Sequence, residues 1–505
     1  MSEPYLITTA ISYPNGPPHI GHAYEAIAGD AIARFQRAQG RDVRFVGGTD
    51  EHGLKMVQTA RAQDRETIDL ADEMSGYFRE MVDLFNLSYD EFVRTTEPRH
   101  HKASIALWNA MEEAGDLYLD RYEGWYSVRD EAFYDEGELV PGEGGEKLSP
   151  QGTPVEWTAE ETWFFRLSKY QEPLLKLYRD NPDFIRPESR RNEVLRFVEA
   201  GLKDLSVSRT SFDWGVPVPN SPGHVMYVWV DALTTYMTGV GYPDDRAEYD
   251  RFWPADVHLI GKDIVRFHAV YWPAFLMSAK LPLPKQVFGH AFLLSRGEKM
   301  SKSVGNVIDP MELAERFGVD PVRYFFLREV PFGQDGSYSA EAIVNRANAE
   351  LANSFGNLAQ RTLSMIFKNL DGVIAAEGDA AEDRELLDLV RKATNEEVPD
   401  AFERLSFSVG IEAWLRAVFA CNAYVDTQAP WALRKTDPER MAAVLGTLVV
   451  AVRELAQAIA PVIPASAEKL LAAIAAGDGG APIPQPTPLF PRLELEEEET
   501  AEGAK

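Results

Sequence analysis

The apolar pattern of this chain switches between strand and helix periods from its first residues. Residues 5–11 (Tyr-Leu-Ile-Thr-Thr-Ala-Ile) form a short β-branched run that predicts a strand. Asn15-Gly16-Pro17-Pro18 interrupts it, and apolar positions then recur at helical spacing over residues 21–38, an amphipathic helix of about 18 residues. Residues 43–48 read as the next strand. Strand, helix, strand in that order predicts a parallel sheet with a right-handed crossover. The strand signal returns at residues 225–230, Val257–Gly261 and residues 287–294.

Residues 120–165 differ. Aromatic-rich short runs alternate with Gly/Pro turns there, as in a small β-rich insertion. From about residue 340 the strand signal stops and long helical periodicities run to about residue 475. A Gly/Pro-rich stretch and an acidic tail follow, with Glu496 to Glu499 in a segment that reads as disordered. The fold class is therefore α/β: a Rossmann-type parallel sheet with a β-rich insertion, followed by an α-helical bundle. The expected boundaries are 1–115 and 206–294 for the two halves of the sheet domain, 116–205 for the insertion, 295–340 for a linking subdomain, 341–475 for the bundle and 476–505 for the tail.

Composition narrows this little. A chain of 505 residues is too long for one core and suggests about three domains. No apolar run approaches the roughly 18 residues of a membrane span, and the opening residues lead straight into a strand, so no targeting peptide and a cytoplasmic location are expected. The single cysteine, Cys421, excludes an internal disulfide and a cysteine-rich metal knuckle. A net charge of −28 argues against a generic nucleic-acid binder. It leaves room for a local basic track, for which Arg186, Arg190, Arg191 and Arg196 are candidates.

Two short clusters carry chemistry. His19-Ile20-Gly21-His22 sets two imidazoles a helical turn apart at a helix amino terminus, where free N–H groups and the dipole suit phosphate. They can donate hydrogen bonds as charge builds on an α-phosphate, and Gly21 lets a flat base or ribose approach. A structural histidine pair or half a metal site would use the same spacing. Lys299-Met300-Ser301-Lys302-Ser303, bounded by glycines and following a strand, suits a loop that closes on a departing pyrophosphate. A solvated surface turn is the alternative.

In that order and on that architecture, the two clusters resemble the HIGH and KMSKS signatures of class I aminoacyl-tRNA synthetases, over roughly residues 5–475. The resemblance implies ATP, with Mg²⁺, as a substrate, and His19, Gly21, His22, Lys299 and Lys302 as carriers of adenylation. The blocks around Tyr13, Gly48 to Gly53, Tyr227 to Tyr236, and Ile260 to His268 are similar to the methionine-specific members. Asp50, at a strand's carboxyl end, can pair with a substrate ammonium. Ile11, Tyr13, His52, Trp229, Ala232, Leu233, Tyr236, Ile264 and His268 would supply a largely apolar, aromatic pocket suited to a polarizable thioether. Trp229, Ala232 and Tyr236 fall on one helical face, a pattern that core packing also produces. By the same resemblance Glu25, Gly261 and Asp263 contact the nucleoside, and Arg209 the phosphates.

The bundle offers a second match. Asn353, Asn357 and Arg361 recur every four residues opposite Leu351, Phe355 and Leu358, a polar row about 12 Å long. Amides read base edges, and Trp431 after Pro430 offers a stacking face. Solvated helix faces look alike, but the same row and Pro-Trp pair mark the anticodon site of methionyl-tRNA synthetases. Implied partners are L-methionine, ATP and the initiator and elongator methionine tRNAs, with no membrane and a monomer favoured. Many family members bind zinc through cysteines in the insertion. Here Ser127, Asp130 and Ser149 stand in that stretch, so no metal site and no zinc is expected. Isoleucyl, leucyl and valyl relatives would need an editing domain larger than this insertion.

Overall fold

The computed structural model describes residues 2–130, 132–142, 145–295, 298–299 and 307–495. The chain divides into two units, one formed by Met1–Pro18 with Gln39–His290 and the other by His19–Ala38 with Ala291–Lys505.

The first unit is built on a six-stranded, all-parallel sheet. Its order is Glu91–Arg94, Asp42–Thr49, Pro4–Thr9, Val257–Gly261, Val287–His290 and Ile185–Arg186. The first two connections step outward in one direction from Pro4–Thr9, and the later strands lie on its other side. The strand order therefore reverses between Pro4–Thr9 and Val257–Gly261, and ligands of open α/β sheets bind beyond the carboxyl ends of the strands at such a reversal. Central strands are apolar on both faces, with Leu6, Ile7, Phe45, Val46, Leu259 and Ile260 fully buried. Gly48 permits the approach of the neighbouring strand, since a Cβ there would stand 1.9 Å from the Val93 carbonyl oxygen.

The insertion is a four-stranded antiparallel sheet ordered Leu205–Ser206, Glu156–Phe165, Leu117–Ser127 and Ala132–Tyr134. Two strand readings need correction. Only Val225–Met226 is extended, paired with Ser208–Arg209 outside the main sheet, and helix Val228–Thr238 begins two residues later. The β-branched run Val225 to Val230 gave no hint of that boundary. Residues 287–294 are two strands: Val287–His290 joins the parallel sheet, whereas Leu293–Ser295 belongs to the second unit, between Glu298–Lys299 and Gly336–Tyr338. Three of the four arginines of the candidate basic track are paired with acids: Arg186 with Asp183, Arg190 with Glu193 and Arg191 with Glu188.

In the second unit, helix Ile20–Ala38 joins helices that follow residue 309. Asp30 and Arg323, both fully buried, are joined at 2.7 Å. Arg323 also donates to the carbonyls of Pro461 and Val462, and Arg34 shares Asp30 at 2.8 Å. Helix Pro438–Ile459 is long and apolar enough by composition to cross a bilayer, although no unbroken apolar run signals it in the sequence. Its face of Met441, Val444, Leu445, Leu448, Val452 and Leu455 is buried inside the bundle. Residues 482–493 return along the helices: Pro482 bridges Val373, and Asn348 exchanges two hydrogen bonds with the Leu493 backbone. The acidic run Glu496 to Glu499 lies outside the described residues.

Breaking a buried ion pair from one side strands a charge. Asp30→Ala is therefore expected to lower the stability of this unit by about 3–5 kcal/mol. The double replacement Asp30→Leu/Arg323→Met should lose far less, and urea unfolding followed by circular dichroism measures both.

Candidate active site

Three strand ends of the first unit deliver the expected amino-acid site. Ile11 and Tyr13 follow Pro4–Thr9, Asp50 and His52 follow Asp42–Thr49, and Ile264 and His268 follow Val257–Gly261. The loop carrying Asp50 is pinned on both sides. The Asp50 amide donates to the Ser12 carbonyl at 2.8 Å, and the buried Glu51 carboxylate takes Arg94 at 2.7 and 3.0 Å, Thr49 at 2.8 Å and Thr96 at 2.5 Å.

Helix Val228–Thr238 supplies Trp229, Ala232, Leu233 and Tyr236. Trp229 lies flat on Phe267, ring centroids 3.9 Å apart, with the His268 ring edge-on at 5.9 Å. His268 donates from Nδ1 to the Ile264 carbonyl at 3.0 Å, so its Nε2 accepts from the Tyr236 hydroxyl at 2.6 Å. Burial pushes the His268 pKa down to about 4, which keeps the ring neutral. Phe267–Tyr271 forms a π-helical turn, a local irregularity common at functional sites. The polar atoms of Tyr236 and His268 are thus partnered within the site, and Trp229 and Phe267 add stacked ring surface.

His52, expected in the methionine pocket, also has a structural partner. Its ring is buried, its Nδ1 is 2.5 Å from Asp231, and it packs against the rings of Trp214 and His101. Burial alone would raise the Asp231 pKa, but His52 and His100 hold its carboxyl well below the ordinary value. Sequence reading missed Phe267, Asp231 and His100. Phe267 was accessible, since it falls at i+3 from Ile264 on the face that carries His268. Asp231 had a signal too: an acid inside the apolar run from Val228 to Met237.

In the second unit, His19 caps the helix that begins at Ile20. The Gly21 amide donates to His19 Nδ1 at 3.1 Å, while the His19 amide donates to His22 Nδ1 at 3.1 Å. This resembles a capping box made of imidazoles, with His19 accepting from the second helical residue rather than the third. Accepting at Nδ1 leaves the proton of each neutral ring on Nε2. The rings stack at 3.8 Å and present two N–H donors together. Gly21 has a reason beyond ligand approach, because a Cβ would stand 2.9 Å from the His19 ring. The Ile20 amide donates to the Ile308 carbonyl at 3.1 Å, tying this turn to the chain just beyond the second signature. Lys302 lies outside the described residues, and only the backbone of Lys299 is described, in strand Glu298–Lys299.

Comparison with known proteins matches this arrangement along nearly the whole chain. The family described as "tRNA synthetases class I (M)" matches residues 5–363, and the "Anticodon binding domain of methionyl tRNA ligase" matches residues 376–489. The chain belongs to the methionyl-tRNA synthetase family. A methionine–tRNA ligase of Brucella suis biovar 1 (strain 1330) is 56% identical, covering 97% of this chain and 98% of its own. The Mycobacterium tuberculosis methionyl-tRNA synthetase in complex with methionyl-adenylate superposes with a TM-score of 0.93 at 54% identity, over 97% of this chain and all of that one. The free-state structure of the M. tuberculosis protein gives 0.87 at 50% identity, over 98% and 99%.

In the stretch of the insertion that lacks cysteines, the chain forms a hydrogen-bonded knot. Ser149 and Thr153 each donate to Asp130 Oδ2 at 2.6 Å, Ser127 meets Thr153 at 2.6 Å, and Tyr134 reaches the same oxygen at 3.1 Å. Arg209, expected at the phosphates, has its guanidinium over the rings of Phe133, Tyr227 and Tyr126 at 4.6, 4.7 and 5.4 Å, and donates to Ser206 and Ser208. In the helical domain Asn353 and Asn357 are exposed while Leu351, Phe355 and Leu358 are buried. Residues Ala347–Gly356 are π-helical rather than α-helical. Arg361 lies over the half-exposed Trp431 ring at 5.4 Å and pairs with Asp426. Pro430 opens helix Pro430–Thr436 after Ala429 in the left-handed region.

A histidine held neutral by burial makes stability depend on pH with a definite sign. His268 titrates near 4 when folded and about 6.5 when unfolded, so its contribution is complete above 6.5 and is lost as pH falls toward 4. The urea midpoint of the first unit should drop between pH 7 and pH 5, and His268→Gln should flatten that drop.

Proposed function

We propose that this chain activates L-methionine with ATP, forming methionyl-adenylate and pyrophosphate, and passes methionine to the 3′ end of initiator and elongator methionine tRNAs. The observation that carries the amino-acid assignment is the pocket chemistry. Trp229 flat on Phe267, and Tyr236 bonded to a neutral His268, leave an aromatic surface in which the Tyr236 and His268 polar atoms are already partnered. Such a surface favours a thioether over a charged or hydroxylated side chain. Ile11, Tyr13, Ala232, Leu233 and Ile264 complete the wall, and Asp50 pairs with the substrate ammonium.

The methionine carboxylate attacks the α-phosphorus in line, and the P–O bond to pyrophosphate breaks. His19 and His22 donate from Nε2 to the oxygens that gain charge, a preorganised arrangement because the capping bonds already fix both rings. Lys299 and Lys302 neutralise the departing pyrophosphate. Gly21, Glu25, Gly261 and Asp263 hold the nucleoside, and Mg²⁺ accompanies the triphosphate. The terminal ribose hydroxyl of tRNA then attacks the adenylate carbonyl carbon, releasing AMP. Arg209 reaches a phosphate only by leaving its aromatic cage, so no step is assigned to it. Asn353, Asn357, Arg361, Pro430 and Trp431 read the anticodon, with Trp431 as the stacking face.

Zinc has no place in this reading. Ser127, Asp130 and Ser149 offer oxygens spent on one another and on Thr153 rather than thiolates. The protein is read as a cytoplasmic monomer.

ATP–pyrophosphate exchange with each amino acid tests the first step: methionine alone should support it, and its failure in folded protein would overturn the assignment. Lys302→Ala should reduce exchange by about 10²-fold or more with little change in calorimetric methionine affinity. Trp431→Ala should lower kcat/KM for charging tRNA by about 10-fold or more, the scale of one base–aromatic stack, and leave exchange intact. Equal loss of both activities would remove Trp431 from the anticodon.

A further inference from the structure

Asp231 is fully buried on helix Val228–Thr238, on a different face from Trp229, Ala232 and Tyr236. Its Oδ2 lies 2.5 Å from His52 Nδ1 and its Oδ1 lies 2.5 Å from His100 Nε2. His100 belongs to helix Pro98–Glu113, and its other nitrogen lies 3.0 Å from Thr238 Oγ1 on the helix that carries Asp231. Ser104 Oγ approaches His100 Nε2 at 3.2 Å. One carboxylate therefore ties together two helices and the loop that follows strand Asp42–Thr49. A buried carboxylate is costly unless paired and hydrogen-bonded, and here both oxygens meet imidazoles.

The loop it holds carries Asp50. Glu51 is gripped from the opposite side by Arg94, Thr49 and Thr96, its amide donates to Thr95 Oγ1 at 2.9 Å, and its carbonyl accepts from Trp214 Nε1 at 2.6 Å. Asp50 thus stands between a strand end and two anchored residues. Of these anchors, the His52–Asp231 contact is the one that leads to the helix bearing the pocket.

We propose that Asp231 is a positioning residue for the amino-acid site: through His52 it sets where the Asp50 carboxylate stands relative to Trp229, Ala232 and Tyr236. It tunes affinity for the ammonium end of the substrate without touching it. This rests on the assignment of Asp50 to that ammonium. Misplacing a charge partner by a fraction of an ångström weakens that one contact while leaving nucleotide binding unaltered.

The test is exchange kinetics on the full chain. Asp231→Asn should raise the methionine KM by about tenfold or more, with the ATP KM and kcat within about twofold. His52→Phe, which keeps the ring and cuts the link, should do the same, and it carries the test if Asp231→Asn does not fold. Thr238→Val, which leaves the link intact, should not change the methionine KM. Proton NMR of the parent should show a far-downfield imidazole N–H that disappears in Asp231→Asn. An unchanged methionine KM in a folded link variant overturns the proposal, as does a parallel rise in both KM values. Asp50→Ala separates the two layers. If it leaves the methionine KM unaltered, the Asp50 assignment itself fails; if it raises the KM and the link variants do not, only the positioning role falls.

Discussion

The buried pair Asp30–Arg323 decides which part of the chain owns the helix that opens with His19. Two residues 293 apart in sequence meet with no solvent around them, and Arg323 spends further donors on the Pro461 and Val462 carbonyls. An ion pair in such surroundings survives only with this degree of hydrogen bonding. The helix between the first two strands is thereby integrated with helices that follow residue 309. The Ile20–Ile308 hydrogen bond makes the same connection at its first turn. The turn that carries the two imidazoles belongs to that unit.

Capping at that turn and the chemistry proposed for it use the same two residues. A helix start needs acceptors for its first N–H groups, and His19 and His22 provide them with Nδ1. The same bonds put a proton on each Nε2, the form that donates to a phosphate oxygen. The structural reading of a histidine pair at this spacing is therefore compatible with the proposed functional one. In the amino-acid pocket the logic repeats. Tyr236, His268 and the Ile264 carbonyl consume one another's hydrogen bonds, so an aromatic site with polar residues in it behaves as an apolar surface.

The insertion shows another solution to a common problem. A small β-sheet needs something to fix its turns, and this chain uses Asp130 as acceptor for Ser149, Thr153 and Tyr134. Hydroxyls at these spacings are enough to build a closed polar knot, because one carboxylate oxygen accepts several bonds at once. Arg209 is stored beside it, its charge facing three rings and its N–H groups on Ser206 and Ser208.

Local pattern in the sequence determined the parallel strand–helix–strand start, the antiparallel insertion, the helical carboxyl-terminal third and the two signatures. Hydrophobic period and turn residues act over a few neighbours, and so can be read without a fold. Asp50, Trp229, Tyr236 and His268 were legible because class-specific motifs surround them. Tertiary structure alone decided what depends on distant partners. It stopped the run Val225 to Val230 at a helix, and split residues 287–294 between two units. It also joined His52 to Asp231 and His100 in a buried chain of hydrogen bonds. A carboxylate on an apolar helix shows in the sequence as an oddity. That it joins residues from three separate elements follows only when burial forces each polar group to find its partner.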